Sequence, residues 1–229
     1  GGGINGVGAY RDLAAQGIAA LLVEAGDFAS GTSAAPSRLI HGGLRYLETG
    51  EAALVRESLT ERNLLLRNAR HVVHPQICWV PLRSWMGGAL GAVLRFFRLR
   101  RTPGPKGAIP VKIGLMLYDA FGRAYQTMPN HRVLMASKAR AEVTGISPGI
   151  KAVAEYYDAR ITHPERLVME IVADAEADSP GSMAIPYLAA GHLSDGKVAL
   201  HDRLTGEVFH ITPKVVLNAS GAWVDQVHA

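Results

Sequence analysis

The chain has 229 residues, 48% hydrophobic and 19% charged, which is the balance of a globular protein with a real core. One cysteine, Cys78, excludes an intramolecular disulfide and makes a reducing compartment the default, while a net charge of +4 suits an anionic substrate, a membrane surface or nucleic acid and selects none of them. The longest apolar run, Trp85 to Leu94, is too short to cross a bilayer.

In chain order, Ile4 to Gln16 reads as a helix with Ile4, Val7 and Leu13 on one side and Gly17 as its C-terminal stop. Ala19 to Glu24 is a short apolar run ending in an acid, the pattern of a parallel strand buried on both faces. Gly26 to Ser37 is rich in small residues and reads as irregular. Glu51 to Ala69 is an amphipathic helix that should bury Leu54, Val55, Leu59 and Leu65 and leave Glu57, Glu61 and Arg62 outside. Arg83 to Pro110 breaks the pattern and reads as an insertion or mobile loop. Its arginines, Arg95, Arg98, Arg100 and Arg101, alternate with Phe96, Phe97 and Leu99. A helix returns over Ile161 to Asp178, with Thr162 and Glu165 as a capping box around Pro164 and a stripe of Leu167, Val168, Ile171, Val172 and Ala175. Val198–Asp202 and Glu207–Ile211 form a predicted hairpin, and Lys214–Asn218 a predicted buried strand running into Ala219-Ser220-Gly221.

The chemistry starts at the first residues. Gly1-x-Gly3-x-x-Gly6 opens the first helix, and Glu24 ends the next strand eighteen residues after Gly6. The first glycine permits a tight strand-to-helix turn, the second lets backbone approach a pyrophosphate, and the third lets the helix lie close to a sheet. The positive helix end then faces the phosphates, and the acid accepts hydrogen bonds from a ribose. Together these features read as a dinucleotide site in a doubly wound, Rossmann-like α/β domain. That reading requires a buried strand ahead of Gly1, so the sequence reads as a fragment cut at the front and at the back, expected to fold poorly by itself.

Which dinucleotide is bound is decided by the next segment, Ser37-Arg-Leu-Ile-His-Gly-Gly-Leu-Arg-Tyr-Leu-Glu48. With the glycine turn, the Gly114–Gly122 string, Glu155-Tyr-Tyr-Asp158 and Asn218-Ala-Ser-Gly-Ala-Trp-Val224, it closely resembles the FAD-dependent glycerol-3-phosphate dehydrogenases of the glycine/D-amino-acid oxidase group. The resemblance covers nearly the whole chain except about Arg83 to Lys112. Departures from the family pattern are the long insertion there, Ala222 in place of a usual proline, and Ala35-Pro36.

The resemblance implies FAD, held noncovalently, with Gly1, Gly3, Asn5 and Gly6 around its pyrophosphate and Glu24 on its ribose. Thr32, Ser33, Leu39, His41, Gly42 and Gly43 would lie along the ribityl chain and ring, and Ala219, Ser220 and Gly221 would close over the cofactor. Arg45 and Tyr46 match positions beside the substrate, where a guanidinium can grip a phosphate bidentately. The implied reaction is oxidation of sn-glycerol 3-phosphate to dihydroxyacetone phosphate, with electrons passing to a quinone. The implied location is cytoplasmic, with a peripheral place on the inner face of the membrane left open. No nucleic-acid partner is expected. Residues 1–70 and 158–229 would build the FAD domain and 71–157 part of a substrate-binding cap, with the catalytic base beyond Ala229.

Plainer readings stand beside these. Outside the motif Arg45 reads as a surface arginine paired with Glu48, and Tyr46 reads also as a core tyrosine with a satisfied hydroxyl. His41 reads as a residue packed against the flavin, as a covalent tether, or as a metal ligand. His71-x-x-His74 lacks the further ligands of a metal set and reads as a helix-end pair. The basic, aromatic stretch near Arg95 reads either as a solvated loop or as a membrane-surface contact. An amine or amino-acid oxidase of the same group, with Arg45 on a carboxylate, remains the alternative, as does an incomplete module that only binds FAD.

Overall fold

The computed structural model of the chain describes residues 1–47, 49–87 and 107–225. Glu48 and the basic part of the expected insertion lie outside the described residues. Two compact units are present, one formed by Gly1–Arg38 with His163–Ala229 and the other by Leu39–Thr162.

In the first unit, helix α1 spans Ile4–Ala15. Its end is closed as the sequence predicts: Gly17 has φ +73°, and the amides of Gly17 and Ile18 donate back to the carbonyls of Ala14 and Leu13. The buried stripe is Val7, Tyr10 and Ala14, not Ile4 and Leu13. Ile4 is 43% exposed, because the helix turns its small and aromatic positions toward the helix at Pro164–Asp178. That later helix buries Leu167, Val168, Val172 and Ala175, as its periodicity predicts, with Ile171 half-buried against the same cluster. Its start differs from expectation. His163 is the N-cap, Pro164 is the first helical residue, and the Thr162 hydroxyl donates to the Val72 carbonyl, so no Thr162–Glu165 box defines the start.

Strand β1, Leu21–Val23, pairs in parallel with Met183–Ile185, placing Leu22 opposite Ala184. It is not buried on both faces. Leu22 is buried while Leu21 is 42% exposed: the pleat sends Leu22 into the cluster with Val7 and Val168, and on the opposite face Val23 is half-buried against Leu188, Val198 and Leu200 while Leu21 is left open. Leu188–Ser194, Lys197–Asp202 and Val208–Ile211 form an antiparallel sheet, and the predicted hairpin is present. Its turn is fixed by Asp202, whose carboxylate accepts the amides of Leu204 and Thr205 and is held below the usual carboxylate range by them. The predicted strand at Lys214–Asn218 is not observed. No described residue offers it a ladder partner, and Val215 and Leu217 are 76% and 62% exposed.

The second unit is organised on one long strand, Ala152–Ile161. It pairs antiparallel along its whole length with Val73–Leu82, and on its other side with Leu39–Ile40 and Arg132–Met135. Helices Ala52–Asn68 and Ala108–Phe121 pack here, with Val55, Leu59 and Tyr118 in one cluster and Leu82, Leu115, Ala152 and Ala154 in another. Helix Ala108–Phe121 starts inside the segment read as an insertion. In helix Ala52–Asn68 the buried face is rotated from expectation: Leu54 is 43% exposed, whereas Arg62 is 5% exposed because an anionic partner meets it in the core. His71 lies beyond that helix, and His74 lies on the strand opposite Arg160, so the pair is not a helix-end pair.

Candidate functional site

The glycine turn of the first unit is built by exclusion of side chains. A Cβ on Gly6 would fall onto the carbonyl oxygen of Gly1, and one on Gly1 would come within 2.5 Å of the Ala219 carbonyl. Only glycine at both positions lets three backbone segments meet. Gly3 is the helix N-cap, no acidic residue occupies the first turn, and the Ile4 amide donates to Ser33 Oγ at 2.9 Å. The positive end of α1 thus carries one hydroxyl and the exposed Asn5. Thr32 is exposed beside Ser33 in the irregular stretch that the sequence predicts over Gly26–Ser37.

Glu24 ties this turn to β1. Its two carboxylate oxygens accept the amides of Gly2 at 2.6 Å and Gly26 at 2.9 Å, and the Glu24 amide donates to Ile185. A carboxylate has about four acceptor sites, so two remain for hydroxyls. Ala219, Ser220 and Gly221 come directly after Asn218, whose Oδ1 accepts both the amide and the hydroxyl of Ser220. The Asn218 Nδ2 is buried with no hydrogen-bond partner among the described residues. An unpartnered amide donor, a side-chain-free turn and a positive helix end are what an anionic, hydroxyl-bearing dinucleotide needs. The residues Gly1, Gly3, Asn5, Gly6, Glu24, Thr32, Ser33 and Ala219 to Gly221 therefore fit FAD, and all of them belong to this first unit.

The second unit carries Leu39, His41, Gly42, Gly43, Arg45 and Tyr46. Leu39 and Ile40 form the short edge strand, and one helical turn, Leu44–Leu47, presents Arg45 and Tyr46. His41, Arg45 and Tyr46 are exposed, so Tyr46 is no core residue. Glu48, the partner the sequence suggests for Arg45, lies outside the described residues. Gly43 sits at φ +69°, and the Tyr46 amide donates to its carbonyl at 2.7 Å, which sets the turn. Gly42 is fully enclosed: a Cβ there would come within 2.6 Å of the Tyr118 hydroxyl and would overlap Leu59.

Three residues that sequence reasoning missed hold that loop. The Gly42 amide is shared between Tyr118 Oη at 2.9 Å and Asp158 Oδ1 at 3.2 Å. The Tyr118 hydroxyl donates to the same Asp158 oxygen at 2.6 Å, and Arg62 Nη1 donates to it at 2.9 Å. The side chains of Arg62 and Asp158 are 5% and 2% exposed. Arg62 also reaches the Tyr157 carbonyl and Asn63 Oδ1, and Asn63 in turn caps the carbonyls of Gly122 and Ala124. Burial and the adjacent Asp158 carboxylate push the Tyr118 hydroxyl well above the ordinary tyrosine range, so it remains a donor. A signal was present: Asp158 closes the Glu155-Tyr-Tyr-Asp158 string that the sequence singles out, and a charge that becomes buried demands a partner. Among the described residues no group of His, Cys, Asp or Glu could hold a metal ion, and no helix is long and apolar enough to cross a membrane.

Comparison with known proteins gives the family. The family described as FAD dependent oxidoreductase matches residues 1–229. The chain belongs to that family. Its cofactor is FAD. Glycerol-3-phosphate dehydrogenase of Synechocystis is 38% identical over 99% of the chain, and the aerobic glycerol-3-phosphate dehydrogenase of Staphylococcus saprophyticus is 31% identical over all of it. D-erythritol 1-phosphate dehydrogenase of Brucella abortus is 33% identical. The chain spans 39%, 38% and 41% of these three relatives. Among solved structures, the FAD-complexed glycerol-3-phosphate dehydrogenase of Bacillus halodurans superposes with a TM-score of 0.62 at 24% identity, covering 99% of this chain and 34% of that one. L-proline dehydrogenase of P. horikoshii gives 0.66 at 15% identity, covering 99% of this chain and 53% of that one. These two superpositions show the fold, the doubly wound FAD-binding α/β architecture read from the sequence.

Proposed function

We propose that this FAD dependent oxidoreductase chain serves the oxidation of sn-glycerol 3-phosphate to dihydroxyacetone phosphate. Bound FAD supplies the acceptor for the C2 hydride, and a quinone is the onward electron acceptor. The chain's own contribution is to hold the cofactor and to neutralise the phosphate. The first-turn amides of α1, Ser33 and the Asn218 amide group face the pyrophosphate side, Glu24 takes the ribose hydroxyls, and Ala219 to Gly221 close over it. Leu39 and His41 to Gly43 lie along the flavin, which is held noncovalently. Residues 71–157 belong to the substrate-binding cap.

The observation that carries the substrate reading is Arg45. It is exposed and stands two residues beyond a glycine pair that the core holds in place. A planar guanidinium there can take two phosphate oxygens at once while Tyr46 lines the same turn. The names of the relatives support a polyol phosphate rather than an amine. A charge-assisted bidentate contact contributes about 1.5–3 kcal/mol, so Arg45→Ala in the full-length enzyme should lower kcat/KM for glycerol 3-phosphate by roughly ten- to a hundredfold, with FAD content unchanged. Arg45→Lys should recover part of the loss. Normal turnover by Arg45→Ala would make this arginine a surface residue and remove the phosphate anchor. A higher kcat/KM for D-erythritol 1-phosphate would move the substrate to a longer polyol phosphate.

A further inference from the structure

Asp158 is the meeting point of a backbone amide, a phenol and a guanidinium, and all three bonds end on the same oxygen, Oδ1. Such convergence is more than burial of one ion pair requires, because Arg62 already has the Tyr157 carbonyl and Asn63 as partners. The third bond goes to Gly42, the one loop residue in this set. Gly42 has no room to move: Leu59 and the Tyr118 hydroxyl enclose it so closely that no Cβ fits. The next residue, Gly43, is in a left-handed conformation and accepts the Tyr46 amide. The orientation of the Gly42 peptide therefore passes directly into the turn that carries Arg45 and Tyr46. The Tyr118 ring is itself fixed from two sides, by Tyr156 edge-on at 5.9 Å and by the Arg62 guanidinium at 5.7 Å. Neither Tyr118 nor Asp158 is exposed, so neither touches a ligand from this position.

We propose that Asp158 and Tyr118 are positioning residues for the substrate-side turn: through the Gly42 amide they set the direction of the Arg45 guanidinium. The proposal rests on the reading of Arg45 as the phosphate anchor and adds the means by which a short exposed turn keeps one geometry. Preorganisation of this kind matters because an exposed arginine has many rotamers, and a misdirected turn would raise KM before it changed the chemistry.

The test is a double-mutant cycle in the full-length holoenzyme with Tyr118→Phe and Arg45→Ala, glycerol 3-phosphate being the substrate. Tyr118→Phe keeps the ring and removes only the hydroxyl that contacts Gly42 and Asp158. The expected result is a roughly tenfold fall in kcat/KM, mostly in KM, with FAD content unchanged, shrinking to less than twofold when Arg45 is already alanine. An equal fall in both backgrounds would assign the hydroxyl a general packing role and overturn the proposal, as would no fall in either. The Arg45→Ala arm separates the two claims: normal activity there overturns the phosphate anchor itself, whereas a large Arg45 effect without coupling overturns only the positioning role. Asp158→Asn serves as the second variant, since it is isosteric but removes the charge and one acceptor oxygen and so weakens the bonds that Gly42 and Tyr118 make to this side chain. It should show the same coupling to Arg45, and an uncoupled loss would count against the proposal.

Discussion

Two carboxylates in this chain collect the amides of glycine turns, and they do it in opposite environments. Glu24 holds Gly2 and Gly26 with one bond to each oxygen and remains half-buried. Asp158 holds Gly42 from deep within the second unit, with three donors on one oxygen and a buried arginine beside it. The difference teaches what each turn is for. Glu24 keeps acceptor capacity for a ligand, whereas Asp158 commits its hydrogen-bonding oxygen to the protein and gives a fixed direction to the turn beyond Gly42. In the proposed function one turn is a receptor and the other a mount.

That comparison can be broken most severely at Asp158. Asp158→Ala leaves the Arg62 guanidinium buried without its counter-charge, and removing one member of a buried pair costs about 3–5 kcal/mol. The midpoint of urea unfolding of the full-length protein should fall accordingly. An unchanged midpoint would show that the pair is dispensable to the fold. Glu24→Ala should act in the other sense, on the cofactor more than on the fold. Loss of a charge-assisted hydrogen-bond acceptor is worth about 1.5–3 kcal/mol, so FAD affinity should drop roughly ten- to a hundredfold, read by flavin retention on dialysis. Retention at the wild-type level would make Glu24 a purely structural clasp like Asp158.

A smaller effect sharpens the contrast through pH. Glu155 is buried on the same strand as Asp158, and hydrogen bonds from Arg132 hold its carboxyl below the ordinary range. Its stabilising contribution is therefore fully present above the unfolded glutamate value of about 4.3 and is lost as pH falls through the lower folded value. Urea midpoints measured down the acid limb should fall more steeply for wild type than for Glu155→Gln. Parallel acid limbs would contradict the assignment.

Sequence range decides which of these features were legible in the sequence. The glycine turn, Glu24, the closure at Gly17 and the hairpin at Arg203 to Gly206 are local, since each depends on residues a few positions apart or on one recurring spacing. The stripe on Pro164–Asp178 was equally plain, because four of its five apolar positions are buried as the period requires. The mount at Gly42 was not legible. Arg62 and Asp158 are far apart in the chain, and a charged residue on an amphipathic helix reads as solvent-facing until a buried carboxylate is known to meet it. The same rotation exposes Leu54. Lys214–Asn218 failed for the complementary reason: an apolar run makes a strand only where a neighbour supplies the ladder. The motif strings nonetheless pointed at the right segments, since Tyr118 and Asp158 both lie inside stretches that resembled the family.

The central claim, that a bound flavin takes a hydride from a polyol phosphate, is tested most directly by anaerobic mixing of the full-length holoenzyme with glycerol 3-phosphate while the flavin's visible absorption is monitored. Glycerol 3-phosphate should bleach the oxidised flavin, while sarcosine and glycine leave it yellow. A flavin that sarcosine or glycine reduces and glycerol 3-phosphate does not would contradict the account and place Arg45 on a carboxylate.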